Sequence, residues 1–289
     1  MRPPAEALAW VEHTVGSRAR VVGWRRLTGG ITSLVYRLTV DQRGRRTSYV
    51  LRRWESQGAD ALASETATLT ALARSDLPVP RLIGSTTDAA HGGPALLMSR
   101  VPGRVYLMPR ERGAWLQQMA RMLVRIHALD IAGKPYRSWL DPHRLSPPPD
   151  ARHPDLWTAA AALATDEPPA SATCFIHRDY QHFNLLWSRE RLTGVIDWIE
   201  ACSGPPDADV GHCRLNLALL FSTDVAERFR EMYEAEAGRK LDPWWDVHAL
   251  LAYNAEWQHF LPVQIDGRAP LDVRGMTDRV EALLERALR

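Results

Sequence analysis

One stretch of the sequence, FIHRDYQHFNLLW followed by GVIDW, constrains this chain more than any other. It places Asp179 five residues before Asn184, and Asp197 thirteen residues after Asn184. Apolar runs flank each polar residue, as expected for side chains that a β hairpin presents to a cleft. Phosphoryl transfer needs a carboxylate near the attacking hydroxyl and oxygen ligands for Mg²⁺. A single Asp or Asn is commonly a turn former, but these three in this order predict a phosphoryl-transfer site.

Each of the three residues is expected to have its own role. Asp179 would orient the acceptor hydroxyl and take its proton, as a general base does. Asn184 and Asp197 would hold the metal, because amide and carboxylate oxygens are ligands that Mg²⁺ accepts.

Length and cysteine usage exclude several other classes of protein. The 289 residues suffice for two lobes and a sizeable core. No apolar run approaches the roughly 20 residues that cross a bilayer, and MRPPAEALAW lacks the layout of a signal peptide. We therefore expect a cytoplasmic protein with no membrane partner. Three unpaired cysteines argue against disulfides or zinc, so Cys213 and its neighbour His212 are expected to be packed side chains.

The charge distribution is more informative than the net charge. A formal charge of +2 gives no reason to propose nucleic acid as a partner. Residues 1–199 are basic and residues 200–289 are acidic. The basic charge of residues 1–199 suits an anionic cosubstrate, and the acidic charge of residues 200–289 suits a cationic acceptor. For the acidic part, ordinary solvated surface is the alternative interpretation.

The pattern of apolar residues predicts an α+β chain. Strand-like runs around 21–40, 48–54 and 94–103, with a turn at 41–46, predict a mostly antiparallel sheet. Apolar spacing predicts helices at 4–14, 61–74, 115–129 and 156–164, and a helical remainder from about residue 210. The Val101-Pro102-Gly103 break divides residues 1–101 from residues 102–289.

These motifs resemble those of the aminoglycoside phosphotransferase and choline kinase-like family of the protein-kinase-like superfamily. HRDYQHFNLLW and VIDW match its two best signatures, and weaker ones follow in order over nearly the whole chain. Trp198, where protein kinases have Gly, is typical of the small-molecule branch. The resemblance implies a bilobal protein-kinase-like fold, with a β-rich, nucleotide-binding N-lobe at 1–101 and a mainly helical C-lobe at 102–289 for catalysis and acceptor binding. It also implies ATP and Mg²⁺.

The sequence LTGGITSLVYRL resembles the nucleotide loop of that family. Glycines permit close backbone approach to phosphates, and hydroxyl groups add donors. The candidate residues are Gly29, Gly30, Thr32 and Ser33. A simple hairpin turn is the alternative interpretation.

The VLRR motif supplies the cation that contacts the phosphates in such enzymes. Only two lysines exist, Lys134 and Lys240, so Arg52 is the candidate, on a strand face shared with Val50. Glu65 on the next helix is its expected partner. The resemblance also implies an adenine site against the backbone of ALLMSRVPG, between Met98 and Arg100.

Further residues are expected to support the catalytic loop. By resemblance, His177 braces the loop and Asp209 caps its backbone, with Asp207 as the alternative by register. His127 matches a helical histidine of the family and is expected to be packed and hydrogen-bonded.

The acceptor side of the site is less defined by sequence. Acidic residues suit cations, and aromatic faces suit cations or apolar rings, although tryptophans at helical spacing are commonly core. The candidates are Glu200, Asp207, Asp224, Glu227, Asp246, Glu256, Asp266, Trp244, Trp245, Tyr253, Trp257 and His259.

The resulting function is ATP-dependent transfer of the γ-phosphate to a hydroxyl of a small molecule. An aminoglycoside-like antibiotic is the first choice by family association. The alternatives are kinases of the choline, homoserine, methylthioribose or macrolide type, and a nucleotide-binding pseudoenzyme. A protein kinase is disfavoured, because the segment between Asp197 and GPPD is too short for a peptide-binding activation loop.

Overall fold

The chain divides into two compact units. The first comprises Met1–Gly103 and Thr193–Glu200, and the second comprises Arg104–Leu192 and Ala201–Arg289. Residues 193–200 belong to the first unit in the structure, whereas the sequence-based division grouped them with residues 102–289. The computed structural model describes residues 2–27, 33–54, 58–141 and 145–289.

The first unit is built on a five-stranded antiparallel sheet, in the order β1-β2-β3-β5-β4. The turn predicted at 41–46 is present, with Arg43 and Gly44 in the left-handed region between paired Gln42 and Arg45. The elements are α1 (Ala5–Val15), β1 (Ala19–Leu27), β2 (Leu34–Gln42), β3 (Arg45–Arg53), α2 (Ala59–Leu72), β4 (Leu82–Thr86) and β5 (Ala95–Ser99).

The two faces of this sheet differ in the residues that they carry. Tyr36, Leu38 and Leu51 are buried in one core with α1. Because side chains alternate along a strand, Val50 and Arg52 lie on the opposite face. Met98 of β5 is paired with Val50 and shares that face. The predicted nucleotide-binding residues of β3 and β5 therefore lie together.

Three hydrogen bonds explain why residues 193–200 belong to the first unit. The hydroxyl of Thr193 donates to the Pro102 carbonyl at 2.7 Å, and the Val195 amide donates to Pro78 at 3.0 Å. The hydroxyl of Ser64, on α2, donates to the carbonyl of Ile199 at 2.6 Å. Asp197 is thereby fixed within this unit.

The second unit is mainly helical. Its short strands form a three-stranded sheet, β6-β10-β7, and β8 pairs with β9, which ends in the first unit. The strands are β6 (Lys134–Pro135), β7 (Cys174–Ile176), β8 (Leu185–Ser188), β9 (Arg191–Val195) and β10 (Cys202–Gly204). The helices are α3 (Arg112–His127), α4 (Pro154–Thr165), α5 (Pro206–Leu220), α6 (Thr223–Ala237), α7 (Pro243–Leu250), α8 (Trp257–Ile265) and α9 (Met276–Ala287).

Helix α5 is the centre of the second unit. Every residue from Pro206 to Leu220 is buried, and the helix contacts α6, α7 and α9. Its polar residues must find partners inside the protein, because an unpaired buried polar group is costly. Among the described residues, no helix is both long and apolar enough to cross a membrane.

Candidate active site

The loop after β7 is anchored by Asp209 of α5. Its carboxylate accepts hydrogen bonds from the backbone N–H groups of His177 at 2.8 Å and Arg178 at 2.6 Å. Burial acts to raise the pKa of Asp209, but hydrogen bonds from His127 and the His177 N–H outweigh it and hold the pKa below its usual value. Asp207, the other candidate for this role, pairs with Arg239 instead.

His127 and His177 are both buried parts of this arrangement. The His127 ring lies 2.8 Å from the Tyr233 hydroxyl and 3.2 Å from Asp209, so it is packed and hydrogen-bonded, as the sequence predicted. His177 is fully buried, with its ring edge against Tyr180.

The carboxylate of Asp179 is held by three side chains of the second unit. Gln181 Nε2 donates to Oδ1 at 2.8 Å, Asn184 Nδ2 donates to Oδ2 at 2.8 Å, and His212 Nε2 lies 2.9 Å from Oδ1. The side chain keeps 26% of its surface exposed. Burial acts to raise the pKa of Asp179, but the hydrogen bond and charge of His212 outweigh it and lower the pKa. An ionised carboxylate in a fixed orientation can accept a proton from a hydroxyl.

The contact with Asp179 adds a hydrogen-bonding partner to a residue that the sequence predicted to be a packed side chain. His212 is buried on α5, where its other neighbour is Asn216, whose Nδ2 lies 3.2 Å from the ring. A sequence signal existed, because His212 follows Asp209 by three positions and residues so spaced share a helix face. Cys213, next to it, is buried and its pKa is raised well above the usual value by burial, as expected for a packed thiol.

The first unit holds a second cluster, centred on Arg52 of β3. Its Nη1 lies 3.2 Å from Glu65 of α2 and 2.8 Å from Asp197, and Nε donates to Ser33 at 2.8 Å. Arg52 is 6% exposed and Glu65 is 2% exposed. Burial acts to lower the pKa of Arg52, but the carboxylates of Asp197 and Glu65 outweigh it and raise the pKa. The structure thus brings together the predicted cation, its predicted partner and one predicted metal ligand.

Burial has the opposite consequence for the helix carboxylate. It raises the pKa of Glu65 to about 7. The charge of Arg52 acts to lower this pKa, and the charge of nearby Asp197 acts to raise it. Asp197 itself has a φ of 67°, in the left-handed region that few residues adopt. The ion pair with Arg52 holds its carboxylate in place.

The remaining predicted nucleotide residues divide into two groups. Val50 and Met98 lie opposite each other across β3 and β5, and Arg100 follows β5. Gly29, Gly30 and Thr32 lie outside the described residues. The hydroxyl of Ser33, at the end of that loop, contacts Arg52.

Asn184 in the second unit and Asp197 in the first each carry an oxygen donor of a type that Mg²⁺ accepts. Because the Nδ2 of Asn184 donates to Asp179, its amide oxygen remains available as a metal ligand. Asp197 contributes a carboxylate. Within the described ranges, no group of three or more His, Cys, Asp or Glu residues is arranged to hold a metal.

Three of the predicted acceptor-site acids are already paired with arginines. Asp207 pairs with Arg239, whereas Glu227 and Asp246 both pair with the buried Arg214. Their charge is thereby largely neutralised within the protein. The other described acids of that set are exposed or half-buried: Glu200, Asp224, Glu256 and Asp266.

Most of the predicted aromatic residues pack against neighbours. Trp245 and Tyr253 are buried, and Trp244 stacks on His248 with the ring centroids 5.0 Å apart. Trp257 packs against Phe260, and His259 is exposed. Their packing accords with the core interpretation of such tryptophans.

The sequence model of the phosphotransferase enzyme family matches residues 23–251. The chain belongs to that family. A sequence search of curated proteins finds no match for this phosphotransferase.

Several solved structures of phosphotransferases share its fold. A thermostable mutant of aminoglycoside phosphotransferase APH(4)-Ia, in a ternary complex with ADP and hygromycin B, is 20% identical, with a TM-score of 0.59 and coverage of 93% of this chain and 94% of that one. The macrolide 2'-phosphotransferase MphH from Brachybacterium faecium is 18% identical, with a TM-score of 0.61 and coverage of 96% and 97%.

A further structure is a mutant of an aminoglycoside 2'-phosphotransferase of type IIIa in complex with GDP. It is 17% identical, with a TM-score of 0.60 and coverage of 93% and 92%. At these identities the likeness concerns the fold. The α+β, protein-kinase-like fold predicted from the sequence is thereby confirmed for this phosphotransferase.

Proposed function

We propose that this phosphotransferase moves the γ-phosphate of ATP to a hydroxyl group of a small molecule. One observation carries the proposal: the carboxylate of Asp179 is fixed by three side-chain contacts and is still partly open to solvent. A group so placed can orient a hydroxyl and accept its proton, which is the task of the base in phosphoryl transfer.

The other residues divide the remaining tasks. Arg52 would contact the phosphates, since its planar guanidinium can grip phosphate oxygens bidentately. Its pairing with Glu65 holds the side chain in place. Val50, Met98 and the backbone near Arg100 would form the adenine site.

Asn184 and Asp197 would hold Mg²⁺, which supplies charge neutralisation on the phosphates when it is bound. The amide oxygen of Asn184 and the carboxylate of Asp197 are the donor atoms. A cytoplasmic location, where ATP and Mg²⁺ are both present, belongs to the same proposal.

The acceptor class is the open choice within this function. The solved relatives include one bound to hygromycin B and one that is a macrolide phosphotransferase. An aminoglycoside-like acceptor is therefore the first to be tested. The pairing of Asp207, Glu227 and Asp246 with arginines reduces the negative charge that a polycationic acceptor would need.

The test is a sequence of two measurements on the purified protein. Calorimetry should show ATP binding with Mg²⁺ and much weaker binding after chelation by EDTA. A screen of hydroxylated compounds should then reveal ADP release and a product that gains one phosphoryl group in mass spectrometry. Metal-dependent ATP binding without turnover of any acceptor would favour the pseudoenzyme, and absence of ATP binding would contradict the proposal altogether.

A further inference from the structure

Arg178, the residue before Asp179, has an unusual environment for a buried cation. It is 6% exposed, and its φ of 71° places it in the left-handed region. Its guanidinium carbon lies 3.7 Å from the ring centroid of Trp139 and 4.8 Å from that of Tyr136. The two aromatic rings therefore cover the guanidinium by cation–π contact.

Stacking of this kind leaves the in-plane N–H groups available. The buried Nε of Arg178 has no hydrogen-bond partner, and no carboxylate in the described part of the chain lies within ion-pair distance of the guanidinium. Asp209 accepts the backbone N–H of Arg178 but does not contact its side chain. Arg178 thus makes no side-chain ion pair with the described residues, and its Nε has no hydrogen-bond partner.

The two other arginines that are buried in the described part of the chain provide the contrast. Arg52 is paired with Glu65 and Asp197, and Arg214 is paired with Glu227 and Asp246. Each has two carboxylates, as expected when a charge is removed from water. The lack of an equivalent partner at Arg178 points to an anionic group that a ligand brings.

Trp139 lies beside the loop that carries Arg178 and Asp179. Its indole ring is 50% exposed, although large aromatic side chains are usually buried. The edge of the ring meets His212 at a centroid distance of 5.6 Å, and His212 contacts Asp179. The exposed indole thus offers a flat apolar surface one residue removed from the carboxylate that receives the proton.

We propose that Arg178 and Trp139 form a binding subsite for an acceptor that carries an anionic group, a carboxylate or a phosphate, beside a flat apolar group. This inference rests on the proposed function and deepens it, because it names the acceptor class. An anionic hydroxy compound, and not a polycation, is then the substrate of this site.

Four probes separate the possibilities, each titrated into the protein with Mg²⁺ and AMP-PNP. They are 3-phenyllactate as a carboxylate, phenethyl phosphate as a phosphate, 3-phenyllactamide as the neutral counterpart, and hygromycin B as a cation. We expect at least one of the two anions to bind 10-fold or more tightly than the amide. The two anionic probes also tell which kind of anion the subsite prefers.

Three variants assign that preference to the subsite. Arg178→Gln should abolish the difference between anion and amide, whereas Arg178→Lys should retain part of it because the charge remains. The control is Arg137→Gln, which removes the same charge from an exposed position in the segment that carries Trp139 and should leave the preference intact.

Several results would overturn the inference. The first is equal binding, or no binding, of the anions and the amide by the wild type. The second is tighter binding of hygromycin B than of the anions. The third is a preference for the anions over the amide that persists in Arg178→Gln. If Arg178→Gln does not fold, Trp139→Ala decides, because loss of the exposed indole should weaken binding of the phenyl probes and unchanged affinity would contradict the subsite. Phosphorylation of hygromycin B without anion binding would remove this inference and leave the proposed function standing, whereas failure to bind AMP-PNP would remove the proposed function.

Discussion

The Nε2 atom of His212 lies 2.9 Å from the Oδ1 atom of Asp179, so a buried histidine of α5 holds the carboxylate proposed as the base. Asn216 flanks the same ring, at 3.2 Å from Nε2. In the proposed mechanism His212 is a positioning residue, because it would act on the reaction through Asp179.

His212→Leu should lower kcat about 10-fold or more, since misplacing a reacting group by about 1 Å can be costly. The KM for ATP should change little, because the contact orients the base and not the nucleotide. His212→Gln, which keeps a donor, should recover part of the rate. Steady-state kinetics checks this split, and equal losses in both variants would indicate a packing role only.

Asp179→Asn should reduce turnover by about 10²- to 10⁴-fold, the usual contribution of a general base. Affinity for AMP-PNP with Mg²⁺ should remain near that of the wild type, because Asp179 acts on the acceptor. Asp166→Asn, at an exposed position, is the matched control and should behave as the wild type. A near-normal rate in Asp179→Asn would exclude it as the base.

Arg52→Met should lower the free energy of unfolding by about 3 kcal/mol or more, because Glu65 and Asp197 lose their shared cation while Glu65 remains buried. Adding Glu65→Gln should restore part of that loss. The neighbouring Arg53→Met, which removes a partly buried arginine bonded to a backbone carbonyl, should cost less. Chemical unfolding measures all three, and a similar cost for Arg52→Met and Arg53→Met would show that the cluster adds no stability.

The stability of the protein should fall as the pH drops below about 6.5, partly because of His248. Burial, with a smaller contribution from the charge of Arg178, lowers the pKa of His248 to about 4. Since the unfolded chain binds a proton near pH 6.5 and the folded chain only near pH 4, the loss develops between these values. From pH 7.5 to pH 5 it amounts to about 2 kcal/mol.

The variant His248→Gln isolates this contribution, because glutamine does not titrate and can still hydrogen-bond Ser138. Urea unfolding at pH 7.5 and pH 5 should show a smaller difference between the two pH values in the variant. An unchanged difference would assign the pH dependence to other groups.

Local motifs could be predicted from the sequence because the functional residues of each motif lie close together in one segment. Asp179 and Asn184 are five residues apart, and the pairing of Arg52 with Glu65 follows from a strand and the helix after it. The antiparallel sheet was predictable because three of its five strands, β1, β2 and β3, are nine residues long. Strand β10, with three residues, is too short to show alternation.

Contacts between distant segments were not readable in the same way. His212 contacts Asp179 from 33 residues away, and Trp139 contacts Arg178 from 39 residues away. Only the spacing from Asp209 marks His212, and no local pattern marks Trp139. Likewise, the acidity of residues 200–289 suggested a cationic acceptor, but partners such as Arg214 and Arg239 become visible only in three dimensions.

Helix α5 carries both Asp209, which fixes the loop backbone, and His212, which fixes the base. Less than one helical turn separates these two anchors, so any sliding or rotation of α5 displaces both at once. Substitutions in this helix should therefore be poorly tolerated in evolution or engineering. The segment around the exposed Trp139 does not hold both the loop backbone and Asp179. Substitutions there can therefore change the acceptor preference while Asp179 stays in place.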